Sequence, residues 1–369
     1  MQPFSLLIKP AGADCNLNCT YCFYRGSRQI YPQESRPRMA PEVLERIVAS
    51  YLATEQPTYA FGWQGGEPTL MGVDFFRTVT RLQIEHGHPG SIIVNAVQTN
   101  GTLISDEMAR LFSEYCFLVG VSLDGPAPLH DRYRRNLQGH GSYASVWEGI
   151  ECLRRAGVAH NPLVLVTDAN VHHPAELYQY LVEHGLNFHQ YIPCVEYGPR
   201  GELLPYAVGA EDWGDFLCGI FHQWYPQDIH RVSVRQFDLL LAQLAGKEAM
   251  QCTSQALCGG YVVVEHNGDV FPCDFQVAPE LRLGNIMEQG WEEMLGSIRY
   301  AAFRARKRDF HPACADCEFL ELCGADCVKY RGAQWRTSSC QPSVLCAGWK
   351  KFFTLAIPRL KELGEEQRQ

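Results

Sequence analysis

The sequence predicts an α/β protein in which a partial (β/α)6 barrel precedes a smaller, cysteine-rich C-terminal domain. Short β-rich runs alternate with helical patterns over about the first 200 residues, and cysteines become dense only after this alternation ends. Repeated strand–helix units imply parallel strands joined by right-handed crossovers. Six units fit a partial barrel better than a complete eightfold barrel. We place the barrel at residues 1–230 and the cysteine-rich domain at residues 231–369.

The barrel is assigned from six apolar or β-branched runs, most of which are followed by Gly, Pro or Asn. These predicted strands are Ser5–Lys9, Tyr59–Trp63, Ile92–Gln98, Leu118–Leu123, Leu163–Thr167 and Phe188–Ile192. The predicted helices between them are Pro41–Ala53, Asp74–Glu85, Ser105–Ser113, Ser142–Ala156 and Pro174–His184. Ser105 and Ser142 are expected to cap their helices.

The remaining chain begins with a helix rich in aromatic residues and then changes character. Tyr261–Glu265 and Asp269–Phe271 predict a β-hairpin around an Asn-Gly turn. From there to about Cys346 the chain is rich in loops and cysteine, so bound metal would have to supply the missing stabilisation. A last helix is predicted over Trp349–Leu363.

Composition excludes several classes of protein. Of 369 residues, 46% are hydrophobic and 20% are charged, which excludes general disorder. A formal net charge of −9 argues against nucleic acid or an anionic membrane as the main partner. No apolar stretch approaches the ~20 residues that span a bilayer. Met1–Pro10 does not have the pattern of a signal peptide, so we expect a cytoplasmic protein.

Three of the 16 cysteines, Cys15, Cys19 and Cys22, lie in a loop after the first predicted strand. Three thiolates suit a [4Fe–4S] cluster with one open iron, and the alternative is a zinc site with a distant fourth ligand. Gly65-Gly66-Glu67-Pro68 follows the second strand, where the glycines form either a turn or a close backbone approach to a ligand. Segments following parallel strands should meet at one edge of the barrel.

A second set of cysteines fills the C-terminal third of the chain. Their spacing alone leaves zinc and iron–sulfur binding equally open. The set comprises Cys252, Cys258, Cys273, Cys314, Cys317, Cys323, Cys327, Cys340 and Cys346. The four isolated cysteines, Cys116, Cys152, Cys194 and Cys218, are expected to be buried as small apolar residues.

The run Cys15-Asn-Leu-Asn-Cys19-Thr-Tyr21-Cys22 resembles the signature of the radical S-adenosylmethionine (SAM) superfamily, Cys-x3-Cys-x-aromatic-Cys. The resemblance implies that the open iron binds SAM, which yields a 5′-deoxyadenosyl radical after one-electron cleavage. Ser122 could bond the ribose or carboxylate of SAM, or equally a backbone group at the end of its own strand. Either Arg134 or Arg135 could hold the SAM carboxylate. The positions that match SAM contacts in the family are Tyr21, Gly66, Ser122, Arg134 and Val195.

More narrowly, the whole chain resembles the anaerobic sulfatase-maturating enzymes, whose barrel is followed by a SPASM domain. The resemblance implies two auxiliary [4Fe–4S] clusters, hence three in all. Cys252, Cys258, Cys273 and Cys327 match one ligand set, and Cys314, Cys317, Cys323 and Cys346 match the other. Cys340 is an alternative eighth ligand. Asp274 occupies the position of the family's catalytic base, and the alternative is a turn aspartate that bonds local backbone. Tyr24 is expected near the substrate.

The resemblance therefore implies an oxidoreductase that converts a cysteine, or a serine, of a sulfatase polypeptide into Cα-formylglycine under anaerobic conditions. The target motif is Cys or Ser, any residue, Pro or Ala, any residue, then Arg, entering in extended or unfolded form. An electron donor such as flavodoxin or ferredoxin is also implied. The alternatives are a SPASM enzyme that modifies another ribosomal peptide and a zinc-binding interaction module.

Overall fold

All six predicted strands of the barrel are present in the computed structural model, which describes residues 2–249, 251–334 and 340–366. The strands in this part of the chain are β1 Ser5–Lys9, β2 Tyr59–Trp63, β3 Ile93–Thr99, β4 Leu118–Ser122, β5 His160–Val166, β6 Phe188–Pro193, β7 Ser233–Val234, β8 Tyr261–Glu265, β9 Asp269–Phe271 and β10 Gly284–Asn285. The α-helices are α1 Pro41–Leu52, α2 Val73–His86, α3 Asp106–Glu114, α4 Ala127–Tyr133, α5 Tyr143–Arg155, α6 Pro174–Glu183, α7 Ala210–Trp224, α8 Arg235–Leu244, α9 Trp291–Leu295, α10 Ile298–Ala305, α11 Pro312–Ala315, α12 Leu320–Cys323 and α13 Cys346–Glu366.

The chain divides into two compact units, each made of several stretches of sequence. The first unit contains residues 1–122, 133–160 and 259–304. The second contains residues 123–132, 161–258 and 305–369. The predicted boundary after residue 230 divides the chain at one position in the sequence, whereas the two units are groups of residues in contact. The boundary therefore stays a prediction.

The sheet of the first unit contains the first four strands in parallel, in the order β1-β2-β3-β4. The predicted hairpin of β8 and β9 is confirmed, and β10 extends it in antiparallel fashion. Sequence reasoning missed that β8 also pairs in parallel with β1, with Lys9 opposite Glu265. This pairing satisfies the free edge of β1 and buries Val262–Val264 completely.

The second unit is built around a pair of helices and a short parallel sheet. Strands β5, β6 and β7 pair in parallel. Helix α7 carries the aromatic residues singled out in the sequence, and Trp213, Phe216 and Trp224 are almost completely buried. It packs along α13, which begins three residues before the predicted helix. At the contact, a Cβ added to Gly348 would lie 2.2 Å from the Ala210 carbonyl oxygen, so the helices can approach this closely only with glycine there.

The two predicted helix caps have different outcomes. Ser105 caps α3, because its hydroxyl oxygen accepts a hydrogen bond from the Met108 N–H at 3.2 Å. Ser142 precedes α5 but makes no capping bond, and its hydroxyl instead donates to the Arg134 carbonyl at 2.9 Å. Within the described ranges, no helix has both the length and the apolar character needed to cross a bilayer.

The Ser105 cap can be tested directly. Replacing Ser105 with alanine leaves a helix-end N–H without its side-chain acceptor, so we expect the free energy of unfolding to fall by about 1 kcal/mol. Ser105→Asp keeps an acceptor oxygen and should unfold close to wild type. Denaturant titration of both variants followed by circular dichroism checks this, and equal destabilisation of the two would contradict the capping role.

Candidate functional site

The loop that follows β1 brings the first three cysteines to the C-terminal edge of the parallel strands. The loop is held against residues 133–136, where the Asn18 N–H donates to the Arg135 carbonyl at 2.7 Å. Cys19 is buried, and Cys15 and Cys22 are half-buried. Three thiols in one anchored loop are a suitable donor set for a cluster with an open iron.

Cys15 lies in electrostatic surroundings that disfavour a free thiolate. Burial raises the pKa of its thiol to about 12, and the nearby Glu67 charge adds to the rise. A thiol with such a pKa stays protonated at neutral pH unless a nearby cation stabilises the thiolate. Iron binding at this loop would therefore release the proton.

Gly66 forms a backbone contact with the cysteine loop that no other residue type could form. Its N–H donates to the Gly12 carbonyl at 2.8 Å, and the N–H of Glu67 donates to the Asp14 carbonyl at 2.8 Å. A Cβ added to Gly66 would lie 1.9 Å from the Asp14 carbonyl oxygen, inside any possible contact distance. Glycine is thus required here by the chain's own loop, and the approach of this Gly-Gly pair to a ligand stays a prediction.

The side chain of Glu67 connects this segment to the end of β3. One carboxylate oxygen accepts hydrogen bonds from the Thr69 and Thr99 hydroxyls at 2.6 and 2.7 Å, and the other accepts from the Asn100 N–H at 2.7 Å. The Asn100 amide in turn lies 3.8 Å from the Cys15 sulfur. The predicted meeting of these strand ends is confirmed, although the role of Glu67 was missed. An acidic residue directly after a glycine pair at a strand end was the available signal.

The remaining residues proposed for SAM lie in both units. In the first unit, Arg134 is buried, and its guanidinium lies 5.4 Å from the centre of the Tyr21 ring. Its neighbour Arg135 is exposed, so Arg134 is the better candidate of the two. Ser122 ends β4 and is 9% exposed. Val195 follows β6 in the second unit and is buried.

Asp274 follows β9 in the first unit and belongs to a buried polar cluster. One carboxylate oxygen makes an ion pair with the ammonium of Lys9, the last residue of β1. The Gln64 amide lies 3.5 Å from the other oxygen. The Lys9 ammonium also lies 4.5 Å from the centre of the Tyr24 ring, and the Tyr24 hydroxyl donates to Glu265.

Lys9 was not predicted as a site residue. Its side chain is 1% exposed, which is rare for lysine unless the ammonium is paired. A lysine that ends an apolar strand directly before a cysteine loop was the signal in the sequence. The ion pair with Lys9, whose ammonium also contacts the Tyr24 ring, orients the Asp274 carboxylate.

One predicted set of C-terminal cysteines shares a cavity in the second unit. Cys314, Cys317, Cys323 and Cys346 line it together with apolar side chains that include Trp349. Cys340 is exposed and is not among the lining residues. Among the described residues, no three His, Cys, Asp or Glu side chains converge as ligands of a single ion do. Four thiols around the walls of a cavity are a donor set that suits a cluster.

Three members of the other predicted set, Cys252, Cys258 and Cys327, also lie in the second unit, whereas Cys273 lies in the first. Burial raises the pKa of the Cys252 and Cys258 thiols, and the charge of Lys307 opposes the rise at both. Cys252 and Cys258 thus share one charged neighbour.

The isolated cysteines have mixed outcomes. Cys194 is buried as predicted, and burial raises its pKa to about 12. Cys152 and Cys218 are only half-buried, and Cys116 is exposed. The prediction is wrong for Cys116 because it follows the end of α3 in a turn with a φ of 53°, where its side chain leaves the core.

Comparisons with known proteins match the chain over nearly its whole length. Family models of the radical SAM superfamily and of SPASM, an iron–sulfur cluster-binding domain, match residues 10–181 and 257–318. The serine-type anaerobic sulfatase-maturating enzyme of Bacteroides thetaiotaomicron is 36% identical over 99% of this chain and 93% of its own. The cysteine-type enzyme of Clostridium perfringens is 36% identical over 98% of each chain. The solved structure titled native anSMEcpe with bound AdoMet has a TM-score of 0.91 at 36% identity and covers 98% of this chain and 100% of its own. The predicted fold class is confirmed.

The contact at Gly66 generates a prediction about the cysteine loop. Gly66→Ala places a methyl group on the Asp14 carbonyl, so the loop must shift and we expect at least tenfold weaker SAM binding. Equilibrium dialysis with labelled SAM after anaerobic iron–sulfur reconstitution measures this. Gly26→Ala is the matched control, since no atom lies within 4 Å of its added Cβ. Unchanged SAM affinity in Gly66→Ala would show that the loop position does not matter for binding.

Proposed function

Because the chain belongs to the anaerobic sulfatase-maturating enzymes of the radical SAM superfamily, we propose that it oxidises a cysteine or serine of a sulfatase polypeptide to Cα-formylglycine. The observation that carries the proposal is the 36% identity over 98% or more of the chain to relatives of both types. One of the matching structures is native anSMEcpe with bound AdoMet and Cp18Cys peptide, which supports a peptide substrate for this chain. A cytoplasmic location stays a prediction.

The family uses SAM and iron–sulfur clusters, and the donor groups of this chain fit both. When bound, the cofactors supply a 5′-deoxyadenosyl radical able to take a Cβ hydrogen atom from the target residue. We propose three [4Fe–4S] clusters, with an electron donor such as flavodoxin or ferredoxin. Cys15, Cys19 and Cys22 would hold the first cluster, Cys252, Cys258, Cys273 and Cys327 the second, and Cys314, Cys317, Cys323 and Cys346 the third. Tyr21, Gly66, Ser122, Arg134 and Val195 would hold SAM.

Asp274 is proposed as the base that accepts the thiol or hydroxyl proton of the target residue. Its carboxylate is 9% exposed, so bulk water has little access to compete for it. The Lys9 ammonium contacts one carboxylate oxygen and the Gln64 amide contacts the other, and these contacts orient the carboxylate. A base contributes to the rate only when it is held within hydrogen-bond reach of the proton it removes.

The proposed substrate can be tested with a short synthetic peptide that contains the motif in unfolded form. We expect anaerobic incubation with SAM and a reductant to convert the target residue to formylglycine, read by mass spectrometry. Replacing the motif's Arg with Ala should weaken binding by about ten- to a hundredfold, because a charge-assisted hydrogen bond is worth roughly 1.5–3 kcal/mol. A peptide with Ala at the target position is the blank.

Competition between Cys and Ser versions of that peptide measures the preference between targets. We expect faster conversion of cysteine, because a thiol loses its proton more readily than a hydroxyl. Equal rates would refute this preference, and no conversion of either peptide would refute the proposed substrate. Full binding without the Arg would refute its part in recognition.

Asp274→Asn separates the base from the cofactors. The amide keeps the shape of the side chain but cannot accept the proton as a carboxylate does, so formylglycine formation should fall by ~10²–10⁴-fold. Iron content and SAM cleavage should remain, because the cysteines are intact. Asp215→Asn, which removes a surface carboxylate paired with Lys351, should behave as wild type. Wild-type turnover by Asp274→Asn would leave Asp274 as a turn residue.

A further inference from the structure

Among the described residues of the second unit, two cations outside the residues assigned so far are almost completely buried. Lys307 is 2% exposed and Arg331 is 1% exposed. Burying a charged group costs free energy unless hydrogen bonds and opposite charges compensate it. The groups that surround Lys307 and Arg331 must therefore compensate the cost of burying their charges.

The Lys307 ammonium donates hydrogen bonds to the Thr253 carbonyl at 2.5 Å and to the Asp326 carbonyl at 2.7 Å. Thr253 directly follows Cys252, and Asp326 directly precedes Cys327. The ammonium thus joins the backbone segments that carry two of the proposed cluster ligands.

The Arg331 guanidinium is held in the same region by backbone carbonyls. It donates to the carbonyls of Ala325 at 3.0 Å, Asp326 at 3.3 Å, Lys307 at 3.1 Å and Asp309 at 3.3 Å. Arginine is charged at any physiological pH. The carbonyls fix the direction of the guanidinium without cancelling its charge.

Both cations donate to the same backbone carbonyl, that of Asp326, directly before the proposed ligand Cys327. The Asp326 carboxylate is bound separately, by the Ser343 hydroxyl at 2.7 Å and by the Trp349 indole N–H at 3.1 Å.

We propose that Lys307 and Arg331 are positioning residues that raise the reduction potential of the iron–sulfur cluster whose ligands include Cys252, Cys258 and Cys327. The inference rests on the ligand set given under the proposed function. Reduction adds one electron to the cluster, and no bond is made or broken. The reduced cluster is the more negative form, so nearby buried cations stabilise it more than the oxidised form.

Lys307→Gln tests the charge alone, because the amide N–H groups can still donate to the Thr253 and Asp326 carbonyls. Full-length protein is reconstituted anaerobically, its iron and sulfide are counted, and a redox titration is followed by electron paramagnetic resonance. The variant is made with Cys15, Cys19 and Cys22 replaced by Ala, so that only C-terminal clusters give signals. We expect one signal to shift to lower potential, with at least a tenfold smaller ratio of reduced to oxidised cluster, about 59 mV for one electron.

Lys351→Gln is the matched control, because Lys351 is exposed and paired with Asp215, where solvent screens its charge. It should leave both C-terminal signals in place. Full iron with an unchanged potential in Lys307→Gln would overturn the inference and leave the proposed function standing. Absence of any C-terminal cluster in the parent protein would instead overturn the proposed ligand set.

If Lys307→Gln retains too little iron to titrate, Arg331→Gln decides the question. The glutamine amide removes the charge and keeps a donor for the Asp326 carbonyl. We expect a shift to lower potential, as for Lys307→Gln. No shift in Arg331→Gln, or a shift to higher potential, would overturn the inference.

Discussion

The carboxylate of Glu67 is 1% exposed and accepts hydrogen bonds from Thr69, Thr99 and Asn100. Through its backbone N–H, the same residue is bound to the Asp14 carbonyl of the cysteine loop. A buried carboxylate is tolerated only when such donors satisfy it, so the strand ends that supply them must stay together. The position of the three N-terminal thiols relative to Gly66 depends on this one group.

Buried charges of opposite sign lie near Cys15 and near the pair Cys252 and Cys258. Glu67 adds to the high pKa of the Cys15 thiol, whereas Lys307 lowers the pKa of Cys252 and Cys258 against the effect of burial. In the first unit the buried Glu67 carboxylate joins the start of one loop to the end of β3, and in the second the buried Lys307 ammonium joins the segments next to Cys252 and Cys327. Because net charge is one of the levers that set cluster potentials, the same thiolate chemistry can serve different redox roles in one chain.

The pair of Asp274 and Lys9 depends on the sheet rather than on any local motif. The two residues are 265 positions apart in the chain. They meet because β8 pairs in parallel with β1, which brings the hairpin of β8 and β9 beside the end of the first strand. Tyr24, at the far end of the cysteine loop, then contributes its ring to the same cluster. The proposed base and the three N-terminal cysteines thereby lie in one unit.

The sequence by itself determined the elements of the barrel and the chemistry of its first loop. Short apolar or β-branched runs, most of them followed by Gly, Pro or Asn, identified all six strands, and Cys15-x3-Cys19-x2-Cys22 identified the donor set, because these signals are local. Only the tertiary structure decided which carboxylates and cations face those donors. Glu67 and Lys9 carried only weak signals in the sequence and Lys307 and Arg331 carried none, since a charged residue is by default exposed. Their roles arise from burial among partners that lie far away in the chain, which no spacing pattern records.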